Sequence, residues 1–242
     1  MDLVAQYRAQ ERWRRWDEAV AALPLVAGQQ VLDLGCGLGP VTERLHRKGV
    51  DVTGIDGNPL LLAAARERYP LVRFEEADLR TIERTVDGIW ASFVVAYFPD
   101  DDVVARWATF LRPGGFLALM EIDDLLGHEP ICDDLDRAAF YEEARARYDF
   151  TAGRRLAGRM RAAGLTTVHE AIIPDDELAF EGPAPPDVLE AWQHRLARMG
   201  GLQAFLGDRY PEIERAFLAT LASPLHRSQA RVMLVIAQRE RE

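Results

Sequence analysis

The sequence predicts an α/β fold, a doubly wound and mostly parallel sheet with helical cap insertions. Three observations predict it. Short apolar runs alternate with helical segments from residue 30 to residue 122, the rhythm of strand–helix–strand crossovers. The run VLDLGCGLG, Val31 to Gly39, reads as a strand that enters a glycine loop, and Pro40 then suits the first turn of a helix. Two stretches, 123–150 and 174–226, break the rhythm and are long enough to cover the carboxyl edge of the sheet.

Each element has a local reason. Residues 3–23 read as one amphipathic helix, with Leu3, Tyr7, Trp13, Trp16 and Val20 as candidate buried positions. Gln30 to Leu34 is the first strand, and Pro40 to Lys48 a helix stopped by Gly49. Val50 to Ile55 is the second strand and ends at Asp56. Asn58 caps a helix that starts at Pro59 and runs to about Tyr69. Val72 to Glu75 is a third strand, followed by Asp78. Gly88 to Val95 is the fourth, apolar on both faces as a central parallel strand must be. A helix over Asp100 to Leu111 ends at Pro113-Gly114-Gly115, and Phe116 to Ile122 is the fifth strand. Then come a helix from about Asp133 to Tyr148, another over Gly153 to Ala163 and a sixth strand over Leu165 to Ile173. An insertion with two helices and a seventh strand over Ala230 to Ala237 complete the order. The chain reads as one domain, its core about residues 25–125, 151–173 and 227–240, its cap 1–23, 124–150 and 174–226.

Composition narrows the function. At 242 residues, 48% hydrophobic and 28% charged, the chain is ordinary for a globular domain. No apolar run approaches the roughly 20 residues that span a bilayer. The first residues lack the apolar core of a signal peptide, so the expectation is a cytoplasmic monomer or homodimer with no membrane partner. A net charge of −10, with arginines interleaved among acids, argues against nucleic acid. Arg12, Arg14 and Arg15, flanked by Glu11, Asp17 and Glu18, read as a solvated helix face. Cys36 and Cys132 suggest neither a disulfide framework nor a zinc site, and no metal is expected.

The glycine loop offers a nucleotide-type pocket. A dinucleotide fingerprint is G-x-G-x-x-G, whereas Gly35, Gly37 and Gly39 give G-x-G-x-G. Asp33, two residues before the first glycine, is an awkward neighbour for a phosphate and suits a ligand with a cationic amine. With GIDGNP (Gly54 to Pro59), EEADLR (Glu75 to Arg80), DGIWASFVVAYFPD (Asp87 to Asp100) and LRPGGFLALMEID (Leu111 to Asp123), the loop resembles the ordered motifs of the class I S-adenosylmethionine (SAM)-dependent methyltransferases. GRRLAGRMRAAGL, Gly153 to Leu165, resembles the helix before the sixth strand in small-molecule members.

That resemblance implies a Rossmann-like seven-strand sheet with an antiparallel last strand, SAM as cofactor and S-adenosylhomocysteine (SAH) as product. It implies that Gly35 and Gly37 pack against the methionine part, with Asp33 near its ammonium. Asp56 accepts from the ribose hydroxyls, Gly57 and Asn58 border the ribose or adenine, and Asp78 accepts from the adenine amine beside the Leu79 N–H. Phe93 lines the sulfonium side, and Tyr7 or Arg12 reaches the methionine carboxylate. The reaction implied is methyl transfer to an oxygen, carbon or nitrogen of a small metabolite, secondary metabolism being one setting. A SAM-binding enzyme that catalyses rearrangement or cyclisation would look the same. The segment ASFVVAYF lacks the N/D-P-P-Y/F motif of amide and nucleobase-amine methylation. A base is needed only where the nucleophile carries a proton, and the catalytic candidates are His128 and Tyr97. Glu121 and Asp123 share a strand face and make either a polar pocket floor or a strand end in water. Phe140, Tyr141, Tyr148, Phe180, Trp192, Phe205 and Phe217 are available to wall a substrate pocket.

Overall fold

Seven strands hydrogen-bond in the order Arg73–Glu76, Asp51–Asp56, Gln30–Leu34, Val86–Ser92, Leu111–Asp123, Arg231–Gln238 and Thr166–Ile173, and this order decides where a ligand can sit. The structure is a computed structural model that describes residues 3–99, 102–130 and 135–241. Cys132 and the expected helix starts at Asp100 and Asp133 lie outside the described residues.

The N-terminal segment forms two helices, α1 (Leu3–Glu11) and α2 (Trp16–Ala21), where one was expected. The break has an electrostatic cause. Arg14 turns inward and donates to Asp175 at 2.8 Å and to Glu177 at 2.6 Å, and its backbone bridges to Asp175. Arg14 is therefore buried, which corrects its reading as part of a solvated face; Arg12 and Arg15 remain about half exposed. Trp13, Trp16 and Val20 are buried as expected, whereas Leu3 and Tyr7 are exposed by more than a third.

The core follows as β1 (Gln30–Leu34), α3 (Pro40–Arg47), β2 (Asp51–Asp56), α4 (Pro59–Arg68), β3 (Arg73–Glu76) and β4 (Val86–Ser92). A 3-10 turn over Val95–Tyr97, α5 (Val103–Thr109) and β5 (Leu111–Asp123) come next. β4 stops at Ser92 and not at Val95 because Phe93 takes a positive φ of 57°. β5 begins earlier than expected. The Pro113-Gly114-Gly115 run sits inside it as an irregularity, where the register jumps from Val86↔Leu111 to Gly88↔Phe116.

Beyond β5 lie β6 (His128–Glu129), α6 (Arg137–Ala144), α7 (Ala152–Ala162) and β7 (Thr166–Ile173). The second insertion holds three helices, not two: α8 (Pro186–Arg198), α9 (Gly200–Leu206) and α10 (Tyr210–Leu221). The chain separates α8 from α9 at Met199, and α9 ends at Gly207, whose φ is 55°. β8 (Arg227–Ser228) pairs with β6, and β9 (Arg231–Gln238) runs antiparallel to both β5 and β7. The expected antiparallel last strand is thus present.

Alternate residues of the parallel strands enter two cores. Val31, Trp90, Phe116, Ala118 and Met120 pack with α2, α3 and the cap helices. Leu32, Leu34, Ile89, Leu117 and Leu119 pack with α5 and α7 on the opposite face.

The cap is fastened by ions. Glu177 is fully buried and accepts from Arg14 Nη2 at 2.6 Å and Arg195 Nη2 at 2.5 Å. Burial pushes its carboxyl pKa up, but Arg195 and Arg14 more than offset that and hold it at about 2. Glu177→Ala leaves Arg195 without its counter-charge and Arg14 with Asp175 alone, an expected loss of about 3–5 kcal/mol. Thermal unfolding should fall by roughly 10 °C; an unchanged melting temperature would mean that the network does not fasten the cap.

Candidate active site

The strand order reverses at β1, which has β2 on one side and β4 on the other. A cavity of about 510 Å³ opens at the carboxyl ends of these strands, within the size range of small-ligand sites. The glycine loop forms its floor. Gly35 and Cys36 both donate to the Ile55 carbonyl, at 2.7 and 3.0 Å. Gly35 has a φ of 73°, and a Cβ there would collide with the Val94 side chain. At Gly37 the Tyr7 ring of α1 lies 3.5 Å from the place of a Cβ, so the helix covers the loop.

Asp56 ties the loop to the end of β2. One carboxylate oxygen accepts from Gly37 N–H at 2.9 Å, the other from Asn58 N–H at 2.8 Å. Asp33 is buried beneath the loop and accepts from Thr42 Oγ1 at 2.6 Å. Burial pushes its pKa up to about 7. Phe93 is held in its left-handed conformation from several sides. Its N–H donates to Met120 O at 2.8 Å, Trp16 meets its ring edge-on at 6.1 Å, and the Arg14 guanidinium lies 5.4 Å from the ring centre.

Of the residues singled out in the sequence, Tyr7, Asp33, Gly35, Gly37, Asp56, Gly57, Leu79, Phe93 and Tyr97 all line this cavity. Asn58 and Asp78 do not. The Asn58 side chain caps α4, accepting from Leu60 and Leu61 N–H. Asp78 is exposed, and its carboxylate accepts from Arg80 N–H at 2.9 Å, a local turn. Arg12 pairs with Asp187 at 2.8 Å, outside the cavity.

His128 also lies outside it, which corrects its reading as a base. Its Nδ1 is 2.9 Å from His226 Nε2, and His226 Nδ1 is 3.0 Å from the Gly182 carbonyl. Trp192 and Phe217 enclose the ring at centroid distances of 5.0 and 5.5 Å. Burial, then His226, lowers its pKa to about 3, so it is neutral and sealed in the cap. Glu121 and Asp123 do not floor the cavity either. Asp123 accepts from Arg154 at 2.5 Å. Glu121 is fully buried and accepts from Ala96 N–H at 3.2 Å and Ile122 N–H at 3.0 Å, bracing the turn that carries Tyr97.

The residues that sequence reading missed come from the cap. Arg14, Trp16, Arg195 and Arg198 line the cavity. Tyr97, Leu125, Tyr148, Arg195 and Arg198 also line a second chamber of about 340 Å³, walled by Phe140, Phe150 and Leu202. Of the aromatics expected to wall a pocket, Phe140 and Tyr148 do so; Trp192, Phe217 and Phe180 surround His128 instead.

Residues 31–115 match the family described as "Methyltransferase domain". Over these residues the chain is similar to the class I SAM-dependent methyltransferases. It is 39% identical to a trans-aconitate 2-methyltransferase of Methylobacterium nodulans over 128 residues, 50% of this chain and 50% of that protein. The chain thus spans about half the length of the curated relatives it matches. The cyclopropane synthase MmaA2 from Mycobacterium tuberculosis superposes with a TM-score of 0.63 at 18% identity, covering 93% of this chain and 83% of that one. The [4+2]-cyclase SpnF superposes with a TM-score of 0.61 at 19% identity, covering 94% and 80%. At such identities these two likenesses are of fold alone. Among the described residues no helix is long and apolar enough to cross a membrane.

The residues of this cavity fit SAM. Each Asp56 oxygen keeps a second lone pair for a ribose hydroxyl. The loop has no Cβ at Gly35 or Gly37 to keep the methionine part away. Asp56, joined by Asp33 when it is ionised, brings negative charge to a ligand that carries an ammonium and a sulfonium and no phosphate.

Two buried acids make a pH test. Burial raises Asp33 and Glu121 from their ordinary values of 3.8 and 4.5 to about 7. The folded state then holds protons more tightly than the unfolded chain, so stability falls as pH rises from about 4 to 7 and levels off above. Each group contributes on the order of 3 kcal/mol to that fall. Glu121→Gln, which keeps an acceptor oxygen, should shrink the difference in melting temperature between pH 5 and pH 8. An unchanged difference would show that Glu121 ionises normally in the fold.

Proposed function

We propose that this chain transfers the methyl group of SAM to a small organic acceptor held in the cap chamber. The observation that carries this reading is the continuity of the two spaces. The cofactor cavity and the chamber share Tyr97, Leu125, Tyr148, Arg195 and Arg198, so an acceptor and a cofactor can meet at that boundary. The relatives' name, trans-aconitate 2-methyltransferase, supports a small metabolite as acceptor.

Bound SAM supplies a methyl group on a positively charged sulfur, already activated for displacement. The chain has to align the acceptor and exclude water. Asp56 and the loop from Gly35 to Gly37 hold the nucleoside and methionine ends, with Gly57 and the buried Leu79 beside the base. Tyr7 closes the loop from above, and Phe93, pinned by Trp16, forms the wall on the reacting side. Tyr97 and Tyr148 meet edge-on at 5.0 Å and border both spaces. Burial raises the pKa of both, so their hydroxyls stay protonated at neutral pH and act as hydrogen-bond donors that orient the acceptor.

Asp56→Ala removes the acceptor for the ribose and the tie to Gly37. SAH affinity, measured by calorimetry, should fall about 10- to 100-fold while the circular dichroism spectrum is kept. Full SAH affinity in this variant, or no SAH binding by the wild type, would defeat the proposal. SAM should be converted to SAH only when an acceptor is present. Acceptor turnover with no loss of SAM would point to rearrangement chemistry instead.

A further inference from the structure

The cap chamber is apolar in its walls and cationic at its boundary. Phe140, Phe150, Leu125 and Leu202 supply the apolar surface, and Arg147, Arg195 and Arg198 the charge. The three arginines differ in how they are balanced. Arg195 is neutralised by the buried Glu177, yet its Nε is buried without a hydrogen-bond partner. Arg147 and Arg198 form no ion pair among the described residues. Glu143 is the single acid among the residues lining the chamber.

These charges do not cancel. With Arg195 matched by Glu177, and Glu143 offsetting one of the other two, about one positive charge is left over. Arg198 also carries a penalty, since burial and then the neighbouring Arg195 lower its pKa. An unmatched guanidinium at the boundary of an apolar chamber favours an anion. A carboxylate is planar, has two acceptor oxygens and matches the guanidinium fork. Arg195 and Arg198 line both the chamber and the cofactor cavity, so a carboxylate bound to them lies at the shared boundary and its organic body extends between the aromatic walls.

We infer that the cap chamber recognises a monocarboxylic acid with an apolar or aromatic body, its carboxylate held by the unpaired guanidinium of Arg198 beside Arg195, with Arg147 at the rim. The inference rests on the methyl-transfer reading and names its substrate class. It sets the chamber apart from a polycarboxylate site, because one unbalanced charge and apolar walls do not compensate the desolvation of several carboxylates.

The test uses SAH-loaded protein and three probes: trans-cinnamate, its neutral analogue cinnamamide, and trans-aconitate. Calorimetry should show cinnamate binding about tenfold or more tighter than either of the others, the effect of one charge-assisted contact. Arg198→Gln should abolish that preference and Arg198→Lys restore part of it. Equal binding of cinnamate and cinnamamide, absence of cinnamate binding, or tighter binding of trans-aconitate would each overturn the inference. So would a loss of SAH affinity in Arg198→Gln with cinnamate unaffected, which would assign Arg198 to the methionine carboxylate. Failure of the wild type to bind SAH would instead defeat the methyl-transfer reading, so the two failures are distinguishable.

Discussion

The carboxylate of Asp56 accepts one N–H from the glycine loop and one from the residue that caps the next helix. It joins the carboxyl ends of β1 and β2 at the point where the strand order reverses. A parallel sheet leaves its strand ends with unpaired backbone groups at such a point, and a crevice between crossovers running to opposite sides. Asp56 fixes the width of that crevice on one side. Phe93, strained into a positive φ at the end of β4, fixes it on the other. The glycine loop lies between them, and its lack of side chains keeps the crevice open.

The cap depends on a different kind of force. Buried side chains of α8 and α10 share one apolar core with those of the sheet, but apolar packing alone sets no unique orientation. The ion network of Arg14, Asp175, Glu177 and Arg195 is directional. It joins the break between α1 and α2 to α8, and it places two arginines on the cavity wall. Buried ion pairs contribute little net stability against a well-packed apolar alternative. Their consequence here is positional: the groups that hold the cap in register also border the space where a substrate would bind.

Local features were legible in the sequence and distant ones were not. The strand–loop–helix at Val31 to Pro40 and the Asn58-Pro59 cap read correctly because the signals lie within a few residues of the structure they form. Asp56 was legible for the same reason. Arg14 was not, because its partners are 161 and 163 residues away and nothing near it marks an inward turn. That ion pair also ended the expected first helix. His128 looked reactive on a loop after β5, yet its surroundings come from α8 and α10, which bury it against His226 and aromatic rings. The extent of β4 was overestimated because a positive φ at a phenylalanine has no sequence signature.

Hydrogen exchange followed by mass spectrometry, with and without SAH, tests the central claim most directly. If the crevice held by Asp56 is the cofactor site, SAH should slow exchange in peptides covering residues 33–39 and 54–58, and in α1 above them, with little change in β7 and β9. Protection confined to the cap helices, with the glycine loop and the end of β2 unchanged, would contradict it.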